Sequence, residues 1–266
     1  MTERKNNEID VAVLESGLEG LPVEIFAYDI IDSTNSEAKR MARGGYSSTA
    51  LVIAAEQSGG RGRMGRNFYS PAHTGLYFTL LFPSPEDSLT FARLTSAAAV
   101  ALRRGIMSVF GVDTGIKWVN DLYVGQKKVA GILAECFDGD SGRMIALGMG
   151  VNICTRDFPE EIVDKAGALC GSGDGREELA AVTAREFFSI MRDISEGNTE
   201  YMKEYRSASV VVGRDIIFIE NGEEYRAFAE DVDSMGFLKI VLPDGKRRIL
   251  SSGEISVKVE GRGTEV

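Results

Sequence analysis

The sequence predicts an α+β fold: a mixed β-sheet with packed helices, followed by a small C-terminal β-barrel. Three observations lead there. Residues 116–153 hold consecutive strand-like runs broken only by turn signals, which implies hairpins and not the strand–helix alternation of a doubly wound sheet. Two long stretches, Asp87–Phe110 and 177–196, carry apolar residues at helical spacing and must pack on that sheet. After Ser207 the texture changes to short strands joined by glycine or Asp-Gly turns, the pattern of a barrel of about fifty residues.

In chain order, residues 1–24 are polar, acidic and weakly periodic, and are expected to form a tail or peripheral segment. VEIFAYDII (23–31) predicts a strand. Asp32, Ser33 and Thr34 are good cap residues for a short helix over Ser36–Arg43. TALVIAAEQ (49–57) predicts a buried strand, a Gly/Arg-rich loop follows at Ser58–Arg66, and GLYFTLLF (75–82) is a strand ended by Pro83 and Pro85. The long helix comes next. IKWV (116–119), DLYV (121–124), KVAGILAECF (128–137) and RMIALGMGVNI (143–153) are the hairpin strands, turning at Gly125-Gln126 and Asp138–Gly142. Helices are expected at 177–196 and about 198–206. The chain thus divides into residues 1–24, a main domain over 25–207 and a C-terminal domain over 208–266.

Composition removes several classes of function. Of the 266 residues, 44% are hydrophobic and 26% charged, ordinary for a soluble globular protein. No apolar run approaches the ~20 residues that cross a bilayer, and the polar start MTERKNNEID has no hydrophobic signal core, so a cytoplasmic location is expected. The three cysteines, Cys136, Cys154 and Cys170, form no CxxC pair; reduced thiols are expected, with Cys136 and Cys154 as small hydrophobes in apolar runs. His73 is the only histidine, and no GxSxG elbow accompanies it, so neither a histidine-rich metal site nor a serine–histidine triad is indicated. Net charge of −10 argues against broad nucleic-acid binding. Anion binding must come from a local concentration of positive charge.

One such concentration is SGGRGRMGR, Ser58–Arg66, with four glycines and three arginines in nine residues. Glycine lets backbone approach a ligand, and each arginine presents a planar fork of donors to phosphate or carboxylate. The segment lacks the GxxxxGK[ST] of a phosphate-binding Walker loop. Taken alone it reads equally as a solvated loop or an RG-type nucleic-acid contact. KWVND (Lys117–Asp121), followed by KKVAGILAE (Lys127–Glu135), sets a polar group around the only tryptophan, Trp118. Asn120 and Asp121 suit a ribose, a base or water-bound magnesium, or simply the polar tip of a hairpin around a core tryptophan. Lys128 opens an otherwise apolar strand. DSTNSEA (Asp32–Ala38) is a helix cap whose Ser33, Thr34 and Asn35 also offer donors and acceptors at a strand end. In LGMGVNI (Leu147–Ile153), Gly148 and Gly150 allow a ligand ring close to the backbone, and Asn152 adds a base-reading amide.

The order of these pieces is more specific than any one of them. Ser-Thr-Asn, Gly-Arg-Gly-Arg-x-Gly-Arg, Lys-Trp-x-Asn-Asp, Lys-x-Ala-Gly-Ile-Leu, Gly-x-Gly-x-Asn and then a small β domain together resemble biotin protein ligases over about residues 25–260. The resemblance implies a catalytic domain akin to that of class II aminoacyl-tRNA synthetases. It implies biotin and ATP as substrates with Mg2+, a biotin carboxyl carrier protein or domain as partner, and pairing as a homodimer, with no nucleic-acid or membrane partner. Carried over by position, Ser33, Thr34, Asn35, Gln57, Arg61, Gly62, Arg63, Tyr77 and Lys128 correspond to biotin contacts. Arg61, Arg63, Arg66, Phe68, Asn120 and Asn152 correspond to nucleotide contacts, and Lys128 and Arg63 to the catalytic cations. Asp121 is a candidate for the magnesium that accompanies ATP.

Three departures stand out. Val119 occupies the usual proline of KWPND, Phe68 occupies a position where tryptophan is common, and no helix-turn-helix precedes residue 25, so a repressor role is not expected. Two rival readings are a lipoate or octanoate ligase or transferase of related fold, which is not expected to carry the GRGRxGR and KWxND pair, and an RG-loop nucleic-acid module, which the acidic charge and the absence of aromatics among the arginines oppose.

Overall fold

A computed structural model describes residues 9–84, 91–169, 172, 174–220, 222–251 and 256–259. Strands β1 (Glu24–Ile31), β2 (Ala50–Gln57), β3 (Gly75–Pro83), β4 (Gly115–Lys117), β5 (Asp121–Val124), β6 (Lys127–Gly139) and β7 (Gly142–Asn152) form one sheet in the order β1-β2-β3-β7-β6-β5-β4. β1 and β2 are parallel and every other neighbouring pair is antiparallel, so the sheet is mixed, as the hairpin pattern predicts.

Residues opposite one another across an antiparallel ladder share a face, which sorts the side chains into two populations. On the back face, Leu51, Leu80 and Leu147 make one row and Ile53, Phe78, Met149 and Ile132 the next. All are buried in the main core under α3 (Phe91–Phe110) and α4 (Arg176–Ser195). On the front face, Ala50, Leu81 and Ala146 lie under Ala38 and Ala42 of α2 (Thr34–Arg43) in a second, smaller cluster. α2 covers only that part of the front face, and the remainder is the site described below.

The elements follow the sequence closely, with three differences among the described residues. The predicted start of the long helix at Asp87, Pro85 and Cys170 lie outside the described residues. α2 begins at Thr34, not Ser36; Ser33 takes the N-cap position in extended conformation, yet its hydroxyl makes no cap bond. Within the segment assigned to a tail or periphery, α1 (Val11–Gly17) is capped by the Asp10 carboxylate and buries Leu14, flanked by the buried Ile9 and Leu18. Seven residues, about two turns, carry too few positions to show a period, so its polar surroundings hide it. Finally, the expected C-terminal barrel is corrected to an open sheet. After α5 (Tyr201–Ala208), strands β8 (Arg214–Glu220), β9 (Glu223–Val232), β10 (Leu238–Val241), β11 (Arg247–Leu250) and β12 (Ser256–Val259) run antiparallel in the order β11-β10-β9-β8-β12. β11 and β12 do not pair with each other among the described residues. Strand and turn signals specify hairpins but not whether the outermost strands meet, so the sequence pattern reads the same for either form.

The two sheets are joined by specific contacts. Trp118 is buried, and its indole N–H donates to Gly236 O at 2.9 Å, in the turn between β9 and β10. Arg206 Nε of α5 donates to Val232 O at 2.6 Å. Gly236 has φ of 82°, and a Cβ there would stand 2.6 Å from Ala92 O on α3. Left-handed backbone and a close approach therefore both require glycine. Gly236→Ala is expected to lower stability by about 1–3 kcal/mol, read as a shift in the urea midpoint; a midpoint equal to wild type would show that the turn relaxes freely.

Candidate active site

Next to α2, the front face of the sheet is nearly bare. The row beyond the α2 contact is Val52, Thr79, Gly148 and Leu133; the following row is Ala54, Tyr77, Gly150 and Gly131. Three glycines at facing positions leave a hollow, and the sequence supplies the walls around it. The result is a cleft of about 450 Å³, open to solvent, whose lining includes Ser33, Thr34, Asn35, Gln57, Arg61, Gly62, Arg63, Phe68, Asn120 and Lys128. Residues up to ninety-five positions apart in the chain are thus brought together, and all ten are positions singled out above.

The N-terminus of α2 closes one end. Ser33, Thr34 and Asn35 are all buried. The backbone N–H of Thr34 donates to Gln57 Oε1 at 2.9 Å, and Asn35 Nδ2 donates to Glu135 Oε2 at 2.9 Å. Asn35 rests on Gly148: a Cβ there would lie 2.1 Å from Asn35 Oδ1. Gly150 plays the same part under Phe68, whose ring would meet a Cβ at 2.5 Å. The two glycines therefore make room for protein side chains, not only for the ligand ring expected from the sequence.

The Gly/Arg loop folds back on itself. Phe68 N–H donates to Gly60 O at 2.9 Å, Arg61 and Asn67 form a bridge, and Gly62 N–H donates to Arg66 O at 2.7 Å. A 3-10 turn over Arg63–Gly65 closes the tip, with Met64 (φ 56°) and Gly65 (φ 70°) in the left-handed region. Arg61 and Arg63 face the cleft while Arg66 is exposed and lies outside its lining. Arg63 Nη1 donates to Asn120 Oδ1 at 3.1 Å, tying the loop to β5. Asn120 is itself fixed by Nδ2 donating to Ile132 O at 2.8 Å. Burial lowers the Arg63 pKa, Asp121 opposes that and Arg66 adds to it; the net direction is down, and the guanidinium is still a cation at neutral pH.

Lys128 reaches the cleft because of a bulge. Strict alternation from Gly131 would turn Lys128 to the back of the sheet. Instead Leu122 pairs with Ala130 and Tyr123 with Lys128, leaving Val129 extra, so that Val129 and Ala130 are both buried in the main core and Lys128 joins the face of Gly131. A Cβ on Gly131 would lie 3.1 Å from Lys128 Nζ. The ammonium sits 2.7 Å from Asp121 Oδ1, an ion pair lying off the direction of a good hydrogen bond. Arg61, Arg63 and Lys128 thus gather in one cleft, with Asp121 beside Arg63 and Lys128 and Glu135 within the field of Arg61, in a chain of net charge −10.

Three expected site residues stand apart. Tyr77 is fully buried, donates to Pro71 O at 2.9 Å and meets Phe68 edge-on at 6.4 Å between centroids, so it supports the wall without forming it. Its hydroxyl pKa is raised, chiefly by burial. Asn152 lies behind the segment around Gly167: its Nδ2 donates to Gly167 O at 3.1 Å, and its Oδ1 is buried with no hydrogen-bond partner. Arg66 has been placed above. Conversely, the sequence analysis passed over Thr79, Glu135, Lys39 and Ser70, which stand behind the cleft. The signals available were a lone hydroxyl in the apolar run GLYFTLLF and a carboxylate in the apolar run of β6. Among the described residues no group of three or more His, Cys, Asp or Glu side chains is placed to hold a metal ion.

Comparison with known proteins settles the family. The model of the biotin/lipoate A/B protein ligase family matches residues 27–152, and that of the biotin protein ligase C-terminal domain matches residues 211–258. The biotin–[acetyl-CoA-carboxylase] ligase of Paracoccus denitrificans is 30% identical over 236 residues, spanning 84% of this chain and 96% of that protein. The chain belongs to the biotin protein ligase family. The bifunctional ligase/repressor BirA of Bacillus subtilis (strain 168) is 29% identical over 245 residues, 88% of this chain and 75% of the relative. The biotin protein ligase of Aquifex aeolicus, solved with biotin and ATP, shares the fold with a TM-score of 0.78 at 24% identity, over 89% of this chain and 99% of that one.

Gly148→Ala tests how tightly this cleft is built. The added methyl displaces Asn35 and strips its hydrogen bonds, so stability is expected to fall by about 1–3 kcal/mol. Thermal unfolding checks it, and a melting temperature equal to wild type would show that Asn35 can move aside without loss.

Proposed function

We propose that this chain joins biotin to ATP as biotinyl-5′-AMP and passes the biotin to a lysine of a biotin carboxyl carrier protein or domain. The carrying observation is the cleft itself, with hydrogen-bonding groups at the α2 end, a floor of glycines, and Arg61, Arg63 and Lys128 in its lining. Biotin has the matching parts: a ureido ring, an apolar thioether ring and chain, and a carboxylate.

In this reading Ser33, Thr34 and Gln57 hold the ureido ring, and Phe68, Leu133 and the glycine floor pack the apolar middle. Arg61, Arg63 and Lys128 bring the carboxylate against the α-phosphate of Mg–ATP. Two anions repel, and the cations oppose that repulsion while fixing the approach. A carboxylate oxygen attacks the α-phosphorus and the bond to pyrophosphate breaks, with no covalent bond to the protein. Magnesium enters with the nucleotide as part of the substrate. Asn120 lines the nucleotide end, and the buried, unpartnered Oδ1 of Asn152 supports a role as acceptor for the adenine amino group. The mixed anhydride is protected from water by the Arg61–Phe68 loop. A neutral carrier lysine then attacks the biotinyl carbonyl and AMP leaves.

We assign the catalytic unit to residues 25–207 and a C-terminal unit to 208–266, acting in the cytoplasm as a homodimer paired through the catalytic-domain sheet, without nucleic-acid partners. No helix among the described residues is long and apolar enough to cross a membrane.

Mass spectrometry after incubation with Mg–ATP and biotin, lipoate or octanoate tests the reading. Biotinyl-adenylate formed with biotin alone is the expected result; an adenylate of another acid, or none, overturns it. Lys128→Ala removes the cation at the reacting centre and is expected to lower adenylate formation by about a hundredfold or more, measured as pyrophosphate release. Arg63→Gly unties the loop from Asn120 and is expected to release activated biotin, seen as increased labelling of a bystander protein; unchanged background labelling would refute the clamp.

A further inference from the structure

Behind the α2 end of the cleft, a chain of polar side chains leads to Thr34 and Gln57 through Lys39, Glu135, Asn35 and Thr79, to which the proposed chemistry gives no role. Lys39 Nζ lies 2.7 Å from Glu135 Oε1. Asn35 Nδ2 donates to Glu135 Oε2 at 2.9 Å and to Leu133 O at 3.3 Å. Thr79 Oγ1, fully buried, lies 2.6 Å from Asn35 Oδ1 and 2.9 Å from Thr34 Oγ1. Thr34 Oγ1 lies 3.2 Å from Gln57 Oε1, which also accepts from the Thr34 N–H. Gln57 Nε2 donates to Ser70 Oγ at 2.9 Å, and Ser70 Oγ donates to Phe68 O at 2.9 Å.

The direction of the protons between Lys39 and Thr34 follows from the far end of the chain, and that of the Gln57 amide from the Thr34 backbone N–H. An ammonium only donates and a carboxylate only accepts. Burial raises the Glu135 pKa, but hydrogen bonds from Lys39 and Asn35 and the charges of Lys39 and Arg61 outweigh it, and the carboxyl stays below its ordinary value. Asn35 must therefore turn its NH2 to Glu135, and both amide hydrogens are used there and at Leu133 O. Its oxygen faces Thr79, so the single Thr79 proton is committed to Asn35. The Thr79 oxygen and Gln57 Oε1 are then both acceptors toward Thr34, and the Thr34 proton points inward to one of them in either case. Thr34 Oγ1 is left with lone pairs alone for the cleft. Gln57, its oxygen occupied, keeps one Nε2 hydrogen for the cleft.

We infer that Glu135, held by Lys39, is a positioning residue that, through Asn35 and Thr79, fixes Thr34 as an acceptor beside Gln57, whose amide the Thr34 backbone N–H already turns into a donor, so that the cleft selects a head group bringing an N–H to one and a carbonyl to the other. A cyclic urea meets both demands. A dithiolane ring or a plain alkyl chain meets neither and would leave buried polar groups unpaired, the situation that gives the strongest discrimination between analogues. The inference rests on the ligase reading above and extends it to the residues that set its substrate class.

The test is steady-state pyrophosphate release by the full chain, with KM measured separately for biotin and ATP in Glu135→Ala, Glu135→Gln, Thr79→Val and Thr79→Ser. Glu135→Ala and Thr79→Val are expected to raise the biotin KM about tenfold or more while the ATP KM stays within about twofold. Glu135→Gln still offers an oxygen to Asn35, and Thr79→Ser still offers a proton; both are expected to stay within about threefold of wild type. Purely structural support would instead lower kcat through a smaller folded fraction, with the biotin KM unchanged and Gln no better than Ala. Thr79→Val is nearly isosteric and carries the test if Glu135→Ala does not fold. Wild-type biotin KM in both Glu135→Ala and Thr79→Val overturns this inference alone, whereas wild-type protein that releases no pyrophosphate with biotin overturns the ligase reading and this inference with it.

Discussion

The site depends on a shortage of side chains. A sheet of seven strands needs cover on both faces, and α3 and α4 supply most of it on the back. On the front, α2 is ten residues long: its body covers the row of Ala50, Leu81 and Ala146, and its first turn reaches Thr79 and Gly148 in the next. The rows left over would expose apolar side chains if they followed the usual strand composition. Gly131, Gly148 and Gly150 remove those side chains, and Thr79 is satisfied by its neighbours. A large residue at any of the three glycines would fill the hollow from below, which is why the cleft and the ladder register are one and the same feature.

Charge adds the second constraint. The chain is acidic overall, yet the cleft concentrates Arg61, Arg63 and Lys128 in its lining. Each cation is held by a different local device. The loop hairpin presents the arginines, Asn120 anchors Arg63, and the Val129 bulge turns Lys128 to the front. An anionic ligand therefore meets groups whose positions are fixed before it arrives, so little ordering is left to be done on binding.

Much of this was legible in the sequence, and the limits have physical reasons. Strand alternation and turn residues located every strand of the large sheet, and the spacing of Ser33, Arg61, Asn120 and Lys128 among motifs pointed to a shared site. Parity, however, is not legible through a bulge: nothing in KKVAGILAE announces that Val129 is extra, so the face on which Lys128 falls had to be seen. Tyr77 corresponds to a biotin contact by resemblance alone, and the sequence does not show that its ring is fully buried beside Phe68, outside the cleft lining. Glu135 and Lys39 were missed because a charged residue near a strand end or on a helix is ordinarily solvated, and their meeting joins positions 96 residues apart. The open C-terminal sheet was read as a barrel because closure is a property of pairing between strands, not of any strand's composition.

The hydrogen bond from Trp118 to Gly236 O joins the C-terminal sheet to the strand end that carries Asn120 and Asp121. Trp118 is two residues from Asn120, whose carboxamide in turn holds Arg63. The turn between β9 and β10 is therefore mechanically in series with the Gly/Arg loop, although it lies outside the cleft lining. Whatever occupancy of the cleft does to docking of the C-terminal sheet, docking does to occupancy by the same amount, since linkage between two equilibria is reciprocal.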